Sequence, residues 1–277
     1  MDKWYGRVQW GPQGQRIRTS AANWKNPVKW NREAKAAGKR ARVFCASLAD
    51  VFEDKPDQPE MDDWRGDLFE LITQTPHLDW LILTKRPENV RKAWHWELLG
   101  YPDNTWIGTS VENQEQANKR IPELLEIPAA VRFLSMEPLL GPVSIETIDG
   151  ALYDGGMPFP WQRLKNPGIG WVIVGGESGP DARPMHPDWA RGIRDQCQAA
   201  GVPFFFKQHG EWGIAGEWYD TVHCELVNGR DGRRLPVVGG WGRWDDANDY
   251  EVMRKFGKHA AGRLLDGREW NEFPEVS

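Results

Sequence analysis

Six short apolar runs, each ending abruptly in polar residues and separated by segments of helical periodicity, predict an α/β fold with mainly parallel strands. The runs are Arg42–Ser47, Asp79–Thr84, Thr105–Ser110, Val131–Ser135, Gly170–Gly175 and Val202–Lys207. Their starts lie 37, 26, 26, 39 and 32 residues apart, which is about what a strand, a crossover helix and two loops occupy. Runs that are apolar on both faces suit the central strands of a parallel sheet. Six such right-handed units in succession favour a full or partial, TIM-like (β/α) barrel over an open sheet.

The elements between the strands follow in order. Met61–Thr75 places Trp64, Leu68, Leu71 and Ile72 on one stripe of a helix. Pro87 opens a helix over 87–99, at a position where its missing N–H costs little. Asn113 caps a helix carrying Ala117, Ile121, Leu124 and Leu125, with Pro122 a candidate interruption. Residues 143–168, rich in Gly, Pro and Asp, read as an insertion between two units. Pro187 opens a helix over 187–200 with Trp189, Ile193 and Cys197 on its apolar stripe, and Gly201 stops it. Residues 208–248 hold many Gly and Trp, and Thr221–Val227 followed by Asn228-Gly229 reads as a small hairpin cap. A final helix is expected over about 249–264, carrying Val252, Met253, Phe256 and Ala260. The organisation expected is one domain over 1–277, with the barrel core at about 40–208 and the cap and final helix at about 209–277.

Composition excludes several classes. The 277 residues carry 35 Lys and Arg against 40 Asp and Glu, a net charge of −5. That balance argues against a dedicated nucleic-acid coat, although it leaves room for a local basic cleft. No apolar run reaches the ~18–20 residues of a membrane helix, and the first residues lack an apolar signal core. The expected setting is the reducing cytoplasm, with no membrane partner. Cys45, Cys197 and Cys224 are too widely spaced for a disulfide framework or a CxxC metal knuckle. Cys45, inside a strand, reads as a small core residue. His77, His95, His223 and His259 are scattered, so no metal site is expected among them. Seventeen tryptophans leave two readings open: rings that cover core edges, or rings that stack on flat ligands such as bases. Trp24, Trp30, Trp94, Trp96, Trp212, Trp218, Trp241 and Trp244, beside charge or Gly/Pro, pose the question most directly.

In parallel α/β folds ligands bind where the carboxyl ends of the strands converge. Those ends carry Ser47 and Asp50; Thr84, Lys85 and Arg86; Ser110 and Glu112; Ser135 and Glu137; Glu177 and Ser178; and Lys207, Gln208 and His209. Glu112, Glu137 and Glu177 follow their strands at nearly the same offset, a register that solvated rim residues do not need. In Gly175-Gly176-Glu177-Ser178-Gly179 the glycines allow close backbone approach, either to a ligand or simply in a tight turn. The absence of GxGxxG and of GK[ST] after them argues against dinucleotide and Walker-type sites. Lys85-Arg86 is an anion-reading candidate, or a surface ion-pair partner of the rim glutamates. Arg183 and His186 follow the glycine loop, and His186, just before Pro187, is equally a helix cap. There is no HExxH, GxSxG or Cys–His pairing to support hydrolytic chemistry.

Seven blocks carry a family resemblance. They are Phe44–Phe52 (FCASLADVF), Leu83–Pro87 (LTKRP), Gly108–Glu112 (GTSVE), Arg132–Gly141 (RFLSMEPLLG), Trp171–Gly179 (WVIVGGESG), Phe204–Gln208 (FFFKQ) and Ala260–Arg268 (AAGRLLDGR). Together they resemble the phage gene-product-thirty-seven/sixty-eight family, largely uncharacterised proteins of bacteriophages and bacteria. That family is similar to radical S-adenosylmethionine enzymes, with the spore photoproduct lyase branch a distant relative. The resemblance implies a partial (β/α) barrel and, in an extended form, S-adenosylmethionine and a [4Fe–4S] cluster as cofactors. It implies that Glu112, Glu137 and Lys207 are catalytic candidates and that Ser47, Ser110, Gly175, Gly176, Glu177 and Ser178 bind the cofactor. Asp50, Thr84, Lys85, Arg86, Arg183 and Gln208 would then bind an anionic substrate, a nucleotide or a nucleic-acid base by analogy. Family members begin with a strand, a Trp-Asn-Pro stretch and a cysteine cluster ending in Cys-Tyr-Ala-Glu. Met1 is expected to fall just after that point, which leaves the first barrel strand absent, an open sheet edge and no cluster thiolates. His209 stands where an aromatic residue is expected and takes no role. The alternative expectation is a non-catalytic protein that uses the barrel mouth to bind a nucleotide-like ligand or a host protein, in the host-cell cytoplasm if a phage encodes it.

Overall fold

The computed structural model describes residues 11, 13–46, 49–94, 100–152, 168–215, 223–237 and 249–275. They fall into two compact units, Met1–Trp106 and Ile107–Ser277. In the first unit, helix α1 (Ala21–Ala37) starts at Ser20, whose Oγ accepts a hydrogen bond from the Asn23 N–H, and stops at Gly38 with φ 64°. Strand β1 (Ala41–Cys45) pairs in parallel with β2 (Leu78–Thr84), Ala41 opposite Leu78 and Cys45 opposite Ile82. Helix α2 (Glu60–Gln74) lies between them and buries Met61, Leu68 and Ile72, two of the residues expected on its stripe among them. Helix α3 (Pro87–Ala93) has Pro87 in its first turn as expected. The remainder of the helix expected over 87–99 lies largely outside the described residues. A run of ring contacts, Phe52 to Phe69, Phe69 to Trp94 and Trp94 to Tyr101, has centroid spacings of 6.4, 3.9 and 4.7 Å and joins α2 to the chain after α3. Trp94 thus covers core, as the plainer reading of the tryptophans has it. Trp30 is 39% exposed, and Trp96, Trp218, Trp241 and Trp244 lie outside the described residues.

Strand β3 (Thr105–Ser110), buried throughout, carries the chain into the second unit. There helix α4 (Gln114–Leu125) is capped by Asn113, whose Oδ1 accepts from the Gln116 N–H at 3.0 Å. Pro122 stays inside α4, because one lost backbone bond near a helix end is offset by burying Ala117, Ile121, Leu124 and Leu125. Strands β4 (Val131–Met136), β5 (Trp171–Gly175) and β6 (Phe204–Gln208) pair in parallel. Helix α5 (Pro187–Ala200) connects β5 to β6, buries Trp189, Ile193 and Cys197, and ends at Gly201 with φ 66°. The six strands stand in the sheet in chain order, β1-β2-β3-β4-β5-β6, the winding of a partial (β/α) barrel in an α/β fold. β1 is the end strand, and its burial alternates, with Phe44 46% exposed, so it does not have the two apolar contacts expected of a central strand.

After β6 come β7 (Trp212–Ile214), β8 (Cys224–Asn228), β9 (Arg234–Pro236), β10 (Tyr250–Lys255) and the short helix α6 (Lys258–Ala261). These strands form an antiparallel sheet in the order β7-β10-β8-β9, with the expected hairpin joining β8 to β9. The final helix expected over about 249–264 does not form as such. Residues 250–255 are strand, and helix near 249–264 is confined to Lys258–Ala261. Val252 and Met253 are buried as β10 pairs with β8 on one side and β7 on the other. Those partners are distant in sequence, and Gly257, with φ 89°, breaks the backbone after them. Of the insertion expected over 143–168, residues 143–152 pack inward through Val143, Ile145, Ile148 and Ala151, while 153–167 lie outside the described residues. Among the described residues no helix is long and apolar enough to cross a membrane.

Gly108 on β3 lies against Phe133 on β4, where an added Cβ would stand 2.3 Å from the ring. Gly108→Ala is expected to lower stability by about 1–3 kcal/mol through overpacking, read as a lower urea midpoint with an unchanged denaturant slope.

Candidate functional site

The strand ends of each unit build a polar cluster. In the first unit the loop after β1 returns Asp50 to the end of β2. Its Oδ1 accepts from the Phe52 N–H at 3.0 Å and the Thr84 hydroxyl at 2.7 Å. Its Oδ2 accepts from the Lys85 N–H at 3.0 Å and Arg86 Nη1 at 2.8 Å. Four donors fill the carboxylate's acceptor sites. Arg86 also reaches Glu53 at 3.4 Å, and Arg16 grips Glu53 with two bonds of 2.6 and 2.8 Å. The Arg16 guanidinium, above all by hydrogen bonding, holds the Glu53 carboxyl below the usual carboxylate range. The Arg16 main chain is fixed in turn by Gln58, which accepts from its N–H at 2.6 Å and donates to its C=O at 3.1 Å. The structure therefore gathers Asp50, Thr84, Lys85 and Arg86 as expected, with the Asp50 carboxylate and the Arg86 guanidinium engaged within the chain. Ser47 lies outside the described residues. A cavity of about 550 Å³ in this unit, with Arg65, Phe69 and Trp94 in its walls, contains none of these expected site residues.

In the second unit the register between β5 and β6 slips after Val174, so that Gly175 faces Gln208. Lys207 is the residue passed over, and such a bulge re-aims its side chain. The Lys207 ammonium donates to Glu137 Oε2 at 2.8 Å, just past β4. Gln208 Nε2 donates to Glu137 Oε1 at 3.2 Å and to Ser178 Oγ at 3.0 Å. Glu137, Ser178, Lys207 and Gln208 thus form one network across three strand ends. Glu137 is joined to Pro138 by a cis peptide bond. Glu177 is closed by Arg183, through two guanidinium bonds of 2.8 Å and the Arg183 N–H at 2.9 Å. Those hydrogen bonds hold its carboxyl below the usual range. Glu112 accepts from Arg120 Nη1 at 2.8 Å, and the same guanidinium nitrogen donates to the Ser110 carbonyl at 2.8 Å.

The glycines after β5 permit close packing inside the chain. A Cβ on Gly176 would lie 1.9 Å from the His209 carbonyl oxygen, and one on Gly210 would lie 2.1 Å from the Glu177 carbonyl oxygen. Two backbones touch there. A Cβ on Gly175 would meet Glu137 Cδ at 3.2 Å. Glu211, which the sequence does not single out, ties down the same loop, accepting from the Gly179 N–H at 3.1 Å. His186 is a helix cap: its Nδ1 accepts from the Asp188 N–H at 3.1 Å. His209 Nε2 lies 2.8 Å from the Leu264 carbonyl, the arrangement of a donating ring N–H. Burial pulls both histidines below their ordinary value.

A family model described as a protein of unknown function, DUF5131, matches residues 2–274, nearly the whole chain. The chain belongs to the DUF5131 family. No curated protein and no solved structure matches it. The described residues of this DUF5131 protein do not fit an iron–sulfur cluster. Cys45, Cys197 and Cys224 stand on β1, α5 and β8. Burial pushes the thiols of Cys45 and Cys197 up to about 12, the reverse of what a thiolate ligand needs. Among the described residues no group of three or more His, Cys, Asp or Glu side chains could hold a metal ion. A side chain at Gly175 or Gly176 has no room, since Glu137 and the His209 carbonyl occupy that space.

Two outcomes follow from this geometry. Asp50→Ala removes the acceptor of four donors, one of them charged, and is expected to lower stability by about 3 kcal/mol, measured by urea unfolding. Burial favours the neutral form of His186 and His209, so in the folded chain they take up protons at a lower pH than in the unfolded chain, where they do so near about pH 6.5. Stability should therefore fall as pH drops through that value. The depressed Glu53 and Glu177 add a second loss below the ordinary carboxylate range. A flat profile between about pH 7.5 and about pH 5.5 contradicts the histidine part.

Proposed function

We propose that this protein binds a small nucleotide-like ligand at the carboxyl ends of β4, β5 and β6. Lys207 receives an anionic group, and Glu137, Gln208 and Ser178 orient the rest. The observation that carries the reading is the Lys207–Glu137–Gln208–Ser178 network. Gln208 is buried beneath it while the Lys207 side chain is 52% exposed, so the network has a fixed base and an open top. A bulge turns Lys207 toward Glu137, and the parallel ladder needs no such pair for its own hydrogen bonds. Carboxyl strand ends are also where parallel α/β folds place ligands.

The finer reading, a phage-type protein of the radical S-adenosylmethionine kind that acts on a nucleotide or base in the cytoplasm but is incomplete without a cysteine segment to hold the cluster, is proposed on the motif resemblance alone. It makes S-adenosylmethionine one ligand to test. Calorimetric titration of the full chain with nucleoside monophosphates, nucleoside triphosphates and S-adenosylmethionine is expected to detect binding of at least one. Lys207→Ala should weaken that binding by about tenfold, the effect of losing one charge-assisted contact. No binding in any titration, or equal binding by wild type and Lys207→Ala, would overturn the proposal.

A further inference from the structure

Charge is distributed unevenly along the chain. Residues 11–42 hold nine Lys and Arg against a single acid, Glu33, so a stretch of net +8 sits in a protein of net −5. Most of this charge is on or beside α1. Only part of it is neutralised internally: Arg16 pairs with Glu53, Arg18 with Asp67 at 2.6 Å and Arg40 with Asp79 at 2.7 Å. Lys29 lies 3.7 Å from Glu33. Lys25, Arg32, Lys35 and Lys39 are exposed and, among the described residues, have no acidic partner within 4.0 Å.

Helix geometry collects these cations on one side. At roughly 100° per residue, Lys35, Arg32, Lys25 and Lys29 fall within roughly 120° of arc, away from the buried Pro27 and Ala34. Lys25 to Lys35 spans about 15 Å at the helical rise. We infer that this face of α1 is a binding surface for the phosphodiester backbone of a nucleic acid. Charge complementarity selects that partner. A row of cations on a rigid element, with Lys25, Arg32 and Lys35 lacking an acidic partner among the described residues, matches a regularly spaced polyanion, and binding would release the polyanion's condensed counterions. An anionic membrane is disfavoured because a surface-lying helix needs one broad apolar face. The exposed apolar residues of α1, Val28 and Trp30, lie roughly 160° apart around the helix.

The test uses the full chain with fluorescein-labelled single- and double-stranded oligonucleotides, titrated at several salt concentrations. It compares wild type with the triple variant Lys25→Gln, Arg32→Gln, Lys35→Gln. Wild type should bind at low salt, and the variant should bind at least about tenfold more weakly. The variant's slope of log K against log salt should be shallower by about 2–3, from three lost phosphate contacts at about 0.7–0.9 each. Unchanged thermal unfolding of the variant would show that the fold is intact. Failure of wild type to bind either oligonucleotide, or an unchanged affinity and slope in a folded variant, overturns the inference. So does capture by phosphatidylserine vesicles without oligonucleotide binding.

Discussion

A carboxylate set at the end of a buried strand must find a cation or a set of N–H donors, because taking it out of water unpaired costs more than packing returns. Both units are arranged around that requirement. Asp50 is met by Arg86 and three further donors, Glu53 by Arg16, Glu112 by Arg120, Glu177 by Arg183 and Glu137 by Lys207. Apart from Lys207, the cations come from helices or loops rather than strands, so satisfying the carboxylates also fixes the crossover segments against the strand ends. The shared offset of Glu112, Glu137 and Glu177 behind their strands reflects this repeated solution.

Among these ion pairs, Glu137–Lys207 differs in its cation. A guanidinium offers several donors in a fixed fork, and in Arg16–Glu53 and Arg183–Glu177 it closes its carboxylate with two parallel bonds. Lys207 is a point charge on a flexible stem and contacts a single oxygen of Glu137. Exchange of that contact for a ligand contact requires less to be undone. The chemistry proposed for the second unit rests on this contrast between a fork and a point.

Much of the fold was legible locally. The six runs became strands within a few residues, and Asn113, Pro187 and Gly201 marked helix ends because capping and backbone φ are short-range effects. Residues 250–255 were not legible as strand, since Val252, Met253 and Phe256 satisfy a helical spacing and only the distant partners β7 and β8 decide otherwise. The site was legible as a set of polar residues at strand ends. What each one touches was not. Arg16 and Glu53 enter the Asp50 cluster from segments with no motif of their own, and Glu211 acts on Gly179 from 32 residues away, beyond α5 and β6. The bulge that aims Lys207 depends on the register of two strands, which periodicity within either one does not encode.

The filled coordination of Asp50 bears on how such a protein can diverge. A carboxylate with four donors has no vacancy for a fifth, and two of its donors, the Phe52 and Lys85 N–H groups, belong to the main chain, so only Thr84 and Arg86 can be exchanged, each at the cost of an unmet acceptor site. The cluster can be inherited or lost, but it offers few intermediate forms. Ser178 and Lys207, at an open surface and each held by one side-chain contact in their network, can be exchanged singly with little consequence for the sheet below. A substitution in this architecture thus disturbs less at the ends of β5 and β6 than at the Asp50 cluster.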